Sequence, residues 1–242
     1  MKRVVLLIVL ALFTGCVNPN FIEPVKIKKD KMAVSFILLK KNIKYSETLY
    51  RVLYLETKSS VRDISGVWDI DKDLSLFTNK MLLKKGNLST DIYSILDENT
   101  LSSYRNGLIV DYFKDIKSRE LEPGIVIPAK TKQYLLTYPK NNKFKILREK
   151  LLSKGVTYLF EYIAPFIDAS APGYGMVMIG MTSNLRIINL KTEKVEWVDT
   201  NRIFENYQLG GNLKKVEENN LELLRKSIKS NIEKLFEKIV FQ

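Results

Sequence analysis

The sequence predicts an α/β fold: a single domain with a mixed sheet, a long β-hairpin in its carboxy-terminal half and helices packed on the sheet, behind a lipoprotein-type signal peptide. Three observations lead there. Residues 173–204, GYGMVMIGMTSNLRIINLKTEKVEWVDTNRIF, hold two alternating apolar runs around the polar turn Lys191-Thr192-Glu193-Lys194, the pattern of paired strands. The final segment places Leu221, Leu224, Ile228, Ile232, Leu235 and Ile239 at helical spacing, so one face of that helix is apolar. Between residues 33 and 163, strand-like and helix-like stretches alternate, as they do in a sheet covered by helices.

The chain opens with Met1-Lys2-Arg3, a short apolar run from Val4 to Phe13, and Thr14-Gly15-Cys16. These are the three parts of a secretory signal, and the run is too short to span a bilayer as a helix. The segment LFTGC resembles the bacterial lipoprotein signal, in which the cysteine is lipidated and becomes the first mature residue. Phe13 departs from the aliphatic residue usual at its position, while the Gly15-Cys16 pair is intact. An unpaired thiol is otherwise an odd residue to export, and Cys16 is the one cysteine of the chain. The expected division is a signal peptide over residues 1–15, a lipidated cysteine and tether over 16–31, and one α/β domain over 32–242. Val17, rather than an acid, follows the cysteine, which by analogy with sorting in Gram-negative bacteria points to the outer membrane, facing the periplasm.

Strands are expected at residues 33–39 and 49–55, with residues 40–46 as a polar connection between them. Asp69, Asp71 and Asp73 open a helix whose Leu74, Phe77, Met81 and Leu82 face inward, ended at Lys84-Lys85-Gly86; acids first and lysines last suit the helix dipole. A short strand follows at 88–96, then a helix over 97–117 with Leu101, Tyr104, Leu108 and Tyr112 at helical spacing. Residues 120–138 read as a loop with a short strand. A helix over 145–154, with Ile146, Leu147, Leu151 and Leu152 inward, stops at Gly155 and feeds a strand from Val156 to Ile163. Residues 169–175 read as a small-residue loop before the hairpin. Gly180 within the hairpin marks a bulge or a close approach, and Leu209-Gly210-Gly211 closes the hairpin off.

Composition narrows the chemistry. Lys and Arg total 39 against 27 Asp and Glu, a formal charge of +12 that falls only to +10 when Lys2 and Arg3 leave with a signal peptide. Such a protein favours anionic neighbours, but an address outside the cytoplasm argues against nucleic acid as a partner. The sequence contains no His, which removes the commonest general base and metal ligand. Asp69, Asp71 and Asp73 have the opening spacing of a calcium loop, yet Leu74 and Lys80 stand where that loop needs Gly and a bidentate Glu. Glu161, Asp168, Glu193, Glu196 and Asp199 have no glycosidase spacing. Pro172-Gly173-Tyr174-Gly175 leads into a strand, the wrong context for a phosphate loop. No cofactor, metal or catalytic residue is therefore expected, and the chain reads as a non-enzyme.

Two aromatics are candidates for partner contact: Tyr174, in its glycine- and proline-flanked loop, and Trp197, which as a strand residue reads first as core. The hairpin run Leu185 to Leu190, with Thr192, Lys194, Val195 and Trp197, is similar to a segment of envelope lipoproteins related to the curli secretion channel subunit and to the lipoprotein activators of penicillin-binding proteins. Glu193 stands where that segment usually has Gly. The resemblance implies a mixed sheet like that of the TolB amino-terminal domain and a membrane-anchored accessory, scaffold or regulatory subunit with a protein partner in the envelope. The alternatives are a lipoprotein that binds a solute or anionic polymer, or a cell-wall hydrolase.

Overall fold

The computed structural model describes residues 30–50, 55–115 and 134–237. The expected signal peptide, Cys16 and the tether lie outside the described residues except for its last two positions. The chain forms β1 (Met32–Leu38), β2 (Asn42–Tyr50), β3 (Leu55–Asp63), α1 (Ile70–Lys84), β4 (Ser89–Asp91) and α2 (Glu98–Asp115). It continues with α3 (Asn142–Ser153), β5 (Tyr158–Ala164), β6 (Ile167–Gly173), β7 (Met176–Asn189), β8 (Lys194–Gln208) and α4 (Glu218–Glu237). This is the predicted α/β class, with eight strands in one mixed sheet.

Two long parallel paths organise the sheet. β1 runs parallel to β5, from Met32 opposite Tyr158 to Leu38 opposite Ala164. The ladder continues across the joint, where Leu39 N–H donates to Ala164 O at 2.8 Å and Lys40 N–H to Pro165 O at 3.0 Å. β2 then runs parallel to β6 from Ile43 opposite Ile167. β7 is antiparallel to both β5 and β6 on one edge, so β8, paired along almost all of β7, must occupy the other edge. β4 lies parallel beside the start of β1, and β3 returns antiparallel to β2.

The central strands are buried on both faces, as strands with helices above and below must be. Alternation sends Met32, Val34, Phe36, Leu38, Phe160, Leu185 and Ile187 toward α1 and α4, where Leu74, Leu82, Leu224, Ile228, Ile232 and Phe236 meet them. It sends Ala33, Ile37, Leu159, Ile163 and Ile188 toward α2 and α3, where Leu101, Tyr104, Leu108, Phe144, Leu147 and Leu151 complete a second core.

Several expectations need correction. Residues 40–46 are no connection: β2 begins at Asn42, and Ile43 and Tyr45 face the core while Lys44 and Ser46 face away. Residues 169–175 are mostly strand. Ala169 and Ala171 of β6 are buried, and small side chains that read as a loop are what a strand under a helix accepts. The short strand at 88–96 covers only Ser89–Asp91 before a 3-10 turn. Ile146, expected inward, is half exposed, and Phe144 takes the core position. The alternation expected after the turn at Val195 and Trp197 is broken by Glu196, an extra residue that forms a bulge: Val195 pairs with Ile188 and Trp197 with Ile187, so the two lie on opposite faces. Gly180 marks a close approach, since a Cβ there would lie 2.1 Å from Ile203 O.

The carboxy-terminal stripe is buried as read through Leu235; Ile239 lies outside the described residues. Its flanking cations do not all face water. Arg225 stacks over the Trp68 ring at 5.1 Å, and Lys229 pairs with Asp73 at 2.9 Å, so α4 is latched to the start of α1. Burying each apolar side chain of the stripe contributes roughly 1.5–3 kcal/mol, in total comparable with the whole stability of a domain, about 5–15 kcal/mol. Truncation after Asn212 is therefore expected to yield insoluble protein; a soluble truncate with a cooperative thermal transition would show that α4 is dispensable.

Candidate functional site

The end of the β6–β7 hairpin is built by its backbone. Gly173 pairs with Met176, leaving Tyr174 and Gly175 as a two-residue turn with φ of 53° and 72°. Both central residues are left-handed, as a primed hairpin turn demands, and such turns ordinarily take Asn, Asp or Gly. A tyrosine in this conformation costs about 1–2 kcal/mol. The turn is also braced: Gly175 O accepts from Leu209 N–H at 3.1 Å and from Gly211 N–H at 2.9 Å, tying it to the end of β8. Tyr174 is 88% exposed, in line with its placement by sequence. Trp197 is half-buried and packs against the α1–α4 core. Its partner Ile187 lies eleven residues along β7 from Met176, roughly 35 Å at strand rise. The two aromatics therefore belong to different regions, and Cys16 lies outside the described residues.

The acids singled out by sequence are dispersed or already engaged. Glu161 is opposite Arg186 in the β5–β7 register, and both are fully buried. Arg186 Nε donates to Glu161 Oε2 and the Tyr104 hydroxyl of α2 donates to Glu161 Oε1. The guanidinium lies 5.3 Å from the centre of the Tyr134 ring. Burial pulls the Arg186 pKa down, but Glu161 and its hydrogen bonds outweigh that and hold it above the usual arginine range. Both Glu161 oxygens are occupied, so this carboxylate serves as a cross-strand tie and is poorly placed to act as an acid or base. Glu193 is exposed in the hairpin turn against Arg148 at 3.0 Å, and Glu196 accepts from Asn189 at 2.6 Å.

Asp69, Asp71 and Asp73 do not converge, because positions two apart on a helix face different directions. Asp73 turns to Trp68 Nε1 at 3.1 Å and to Lys229. Asp71 is buried, accepts from Leu38 N–H at 2.9 Å and pairs with Arg105, while Arg105 Nη2 donates to Leu38 O at 2.7 Å. Asp71 and Arg105 thus clamp both backbone polar groups of Leu38. This reading escaped the sequence, which shows Asp71 only as an acid of a first helical turn. Among the described residues no three His, Cys, Asp or Glu side chains come together as a metal site. The clamp forms the floor of a cleft of about 530 Å³ between the start of α1 and the first turns of α2.

No protein-family model matches the chain, and no curated protein matches it. Among solved structures, the LpoB C-terminal domain from Salmonella enterica aligns with 75% of this chain and 87% of its own, at 9% identity and a TM-score of 0.26. A Xanthomonas campestris protein described as DUF330 aligns with 90% of this chain and 84% of its own, at 6% identity and a TM-score of 0.30. Superpositions this loose carry no conclusion about ancestry or activity.

Two outcomes are expected from the buried polar groups. Arg186→Met leaves the Glu161 charge without its partner and should cost about 3–5 kcal/mol, with Glu161→Gln on the same chain restoring part of it; a single-variant urea midpoint equal to wild type would show that the pair bears no load. Burial also raises the ionisation of Tyr93, Tyr112 and Tyr162 beyond the usual tyrosine range, that of Tyr134 to about 12, and that of Tyr104, where Glu161 adds to burial. A raised folded-state pKa makes stability fully present below the unfolded value near 10 and lost as pH rises toward the folded values. Stability to urea should fall steeply above about pH 10, with a share of the tyrosinate absorbance appearing only on unfolding; complete titration in the folded state would contradict the burial.

Proposed function

We propose that this chain is a non-enzymatic envelope lipoprotein, lipidated at Cys16 and held on a membrane outside the cytoplasm, whose α/β domain docks a protein partner through the Tyr174 turn. It acts as an accessory, scaffold or regulatory subunit of an envelope assembly, in secretion and export or in cell-wall synthesis. The observation that carries this reading is an exposed aromatic held in a braced, left-handed turn. Backbone strain persists where the surrounding structure over-determines it and clusters at functional positions, and rigid tyrosines lose little entropy when they anchor a contact.

The placement of the turn supports the same reading. The tether enters at Met32, beside Tyr158. From Tyr158 the β5–β6 path runs away from that point to Gly173, roughly 50 Å of strand. The anchored end and the Tyr174 turn are thus opposite ends of the sheet, and an anchored domain presents the turn away from its membrane. Acyl chains on Cys16, at about 0.8 kcal/mol per buried methylene, would retain it there. Among the described residues, no helix is long and apolar enough to cross a membrane. The signal segment and the Val17 position favour the outer membrane, facing the periplasm.

A photo-crosslinking residue at position 174, in the full chain in intact cells, should capture one protein reproducibly, and Tyr174→Ala should lower that protein's recovery with the chain at least tenfold. Radiolabelled fatty acid should enter wild type and not Cys16→Ala. Equal labelling of the two would remove the anchor. Salt-sensitive binding to isolated cell wall, without a captured protein, would replace the docking role with polymer binding.

A further inference from the structure

The cleft over the Asp71–Arg105 clamp lies where open α/β sheets hold ligands, beyond the carboxyl ends of parallel strands with a helix on each face. β1 and β4 are the strands; α1 lies on one face and α2 on the other. Its volume of about 530 Å³ suits a small molecule, for which pockets of roughly 300–1,000 Å³ are usual. Ile37, Ile92 and Leu101 give it an apolar wall.

Its charges balance, with Lys41, Lys72 and Arg105 against Asp69, Asp71 and Glu98. On the floor, Arg105 and Lys41 share the single carboxylate of Asp71, with Lys41 Nζ 3.6 Å from Asp71 Oδ2, too far for a good hydrogen bond. Burial lowers the pKa of both cations and Arg105 lowers Lys41 further, against the opposing charge of Asp69 on both and of Asp63 and Glu98 on Lys41; in direct contact the two cations share the one Asp71 carboxylate. The other acids lining the cleft, Asp69 and Glu98, are exposed. A bare anion would meet those acids, and a bare cation would meet Lys41 and Arg105. A metal ion lacks converging carboxylates, since Asp71 is taken by Leu38 and Arg105.

We propose that this cleft binds a small zwitterion of the amino-acid or short-peptide class, its carboxylate between Lys41 and Arg105 and its ammonium group at Asp69 and Glu98. Tyr93 lines the same cleft. The proposal stands on this cleft alone and is independent of the docking turn at the far end of the sheet.

Titration calorimetry of the full chain in detergent micelles, with alanyl-alanine as probe, tests it. The dipeptide should bind, and N-acetylation or carboxy-terminal amidation should each weaken binding about tenfold. Lys41→Met should abolish the preference for the free carboxylate and leave that for the free ammonium; Glu98→Gln should do the reverse. Glu98 is exposed and Lys41 is half-buried, with Arg105 still paired to Asp71 when Lys41 is removed, so the thermal midpoint should hold. No heat from alanyl-alanine at about 10 mM, beyond the millimolar range of weak ligands, overturns the proposal. So does binding that both variants leave unchanged, or binding of inorganic phosphate or calcium in place of the dipeptide.

Discussion

A carboxylate and a guanidinium taken out of water are costly unless each finds the other and every remaining polar atom is satisfied. Glu161 and Arg186 meet that condition at the centre of the sheet, directly across the β5–β7 pairing. A slip of one residue would separate the two charges and turn every side chain of β7 to the other face. The register of the hairpin is therefore tied to this pair. Since Tyr104 donates to the same carboxylate, the pair also fixes how α2 lies on the sheet.

The remaining architecture follows from that register. With β5 and β7 locked, β6 continues β5 along the same edge of β7, and β1 and β2 follow β5 and β6 as a second continuous path. This arrangement separates two regions of different character. At the end of β6, strained backbone presents a single aromatic to solvent. At the carboxyl ends of β1 and β4, the Asp71–Arg105 clamp neutralises the backbone of Leu38 and leaves a polar cleft above it. Neither region needs the other, so a docking role and a ligand role can reside in one small domain.

Much of the fold was legible because side-chain period is a local property. The β7–β8 hairpin, α1, α3 and the stripe of α4 all follow from residues a few positions apart, and the exposure of Tyr174 follows from its glycine neighbours. The failures have equally local causes. Ala169, Ser170 and Ala171 of β6 carry little strand signal of their own and are extended because β2 pairs with all three and β7 with the first two. β2 follows Lys40 and Lys41 and opens on Asn42, Ile43 and Lys44, and only its place beside β6 makes Ile43 and Tyr45 core. The Glu196 bulge changes which face Trp197 occupies without altering the apparent alternation.

The sequence by itself determined the α/β class, the order of most elements and the signal-like segment ending at Cys16, each written in residues adjacent along the chain. Only the tertiary structure decided which charges meet. Glu161 and Arg186 are 25 residues apart and Asp71 and Arg105 are 34 apart, and nothing in the spacing of either pair distinguishes it from solvated surface charge. Their pairing depends on strand register and on which helix covers which face. Those are properties of the packed sheet, set by the sum of many apolar contacts and by the cost of leaving any buried charge alone.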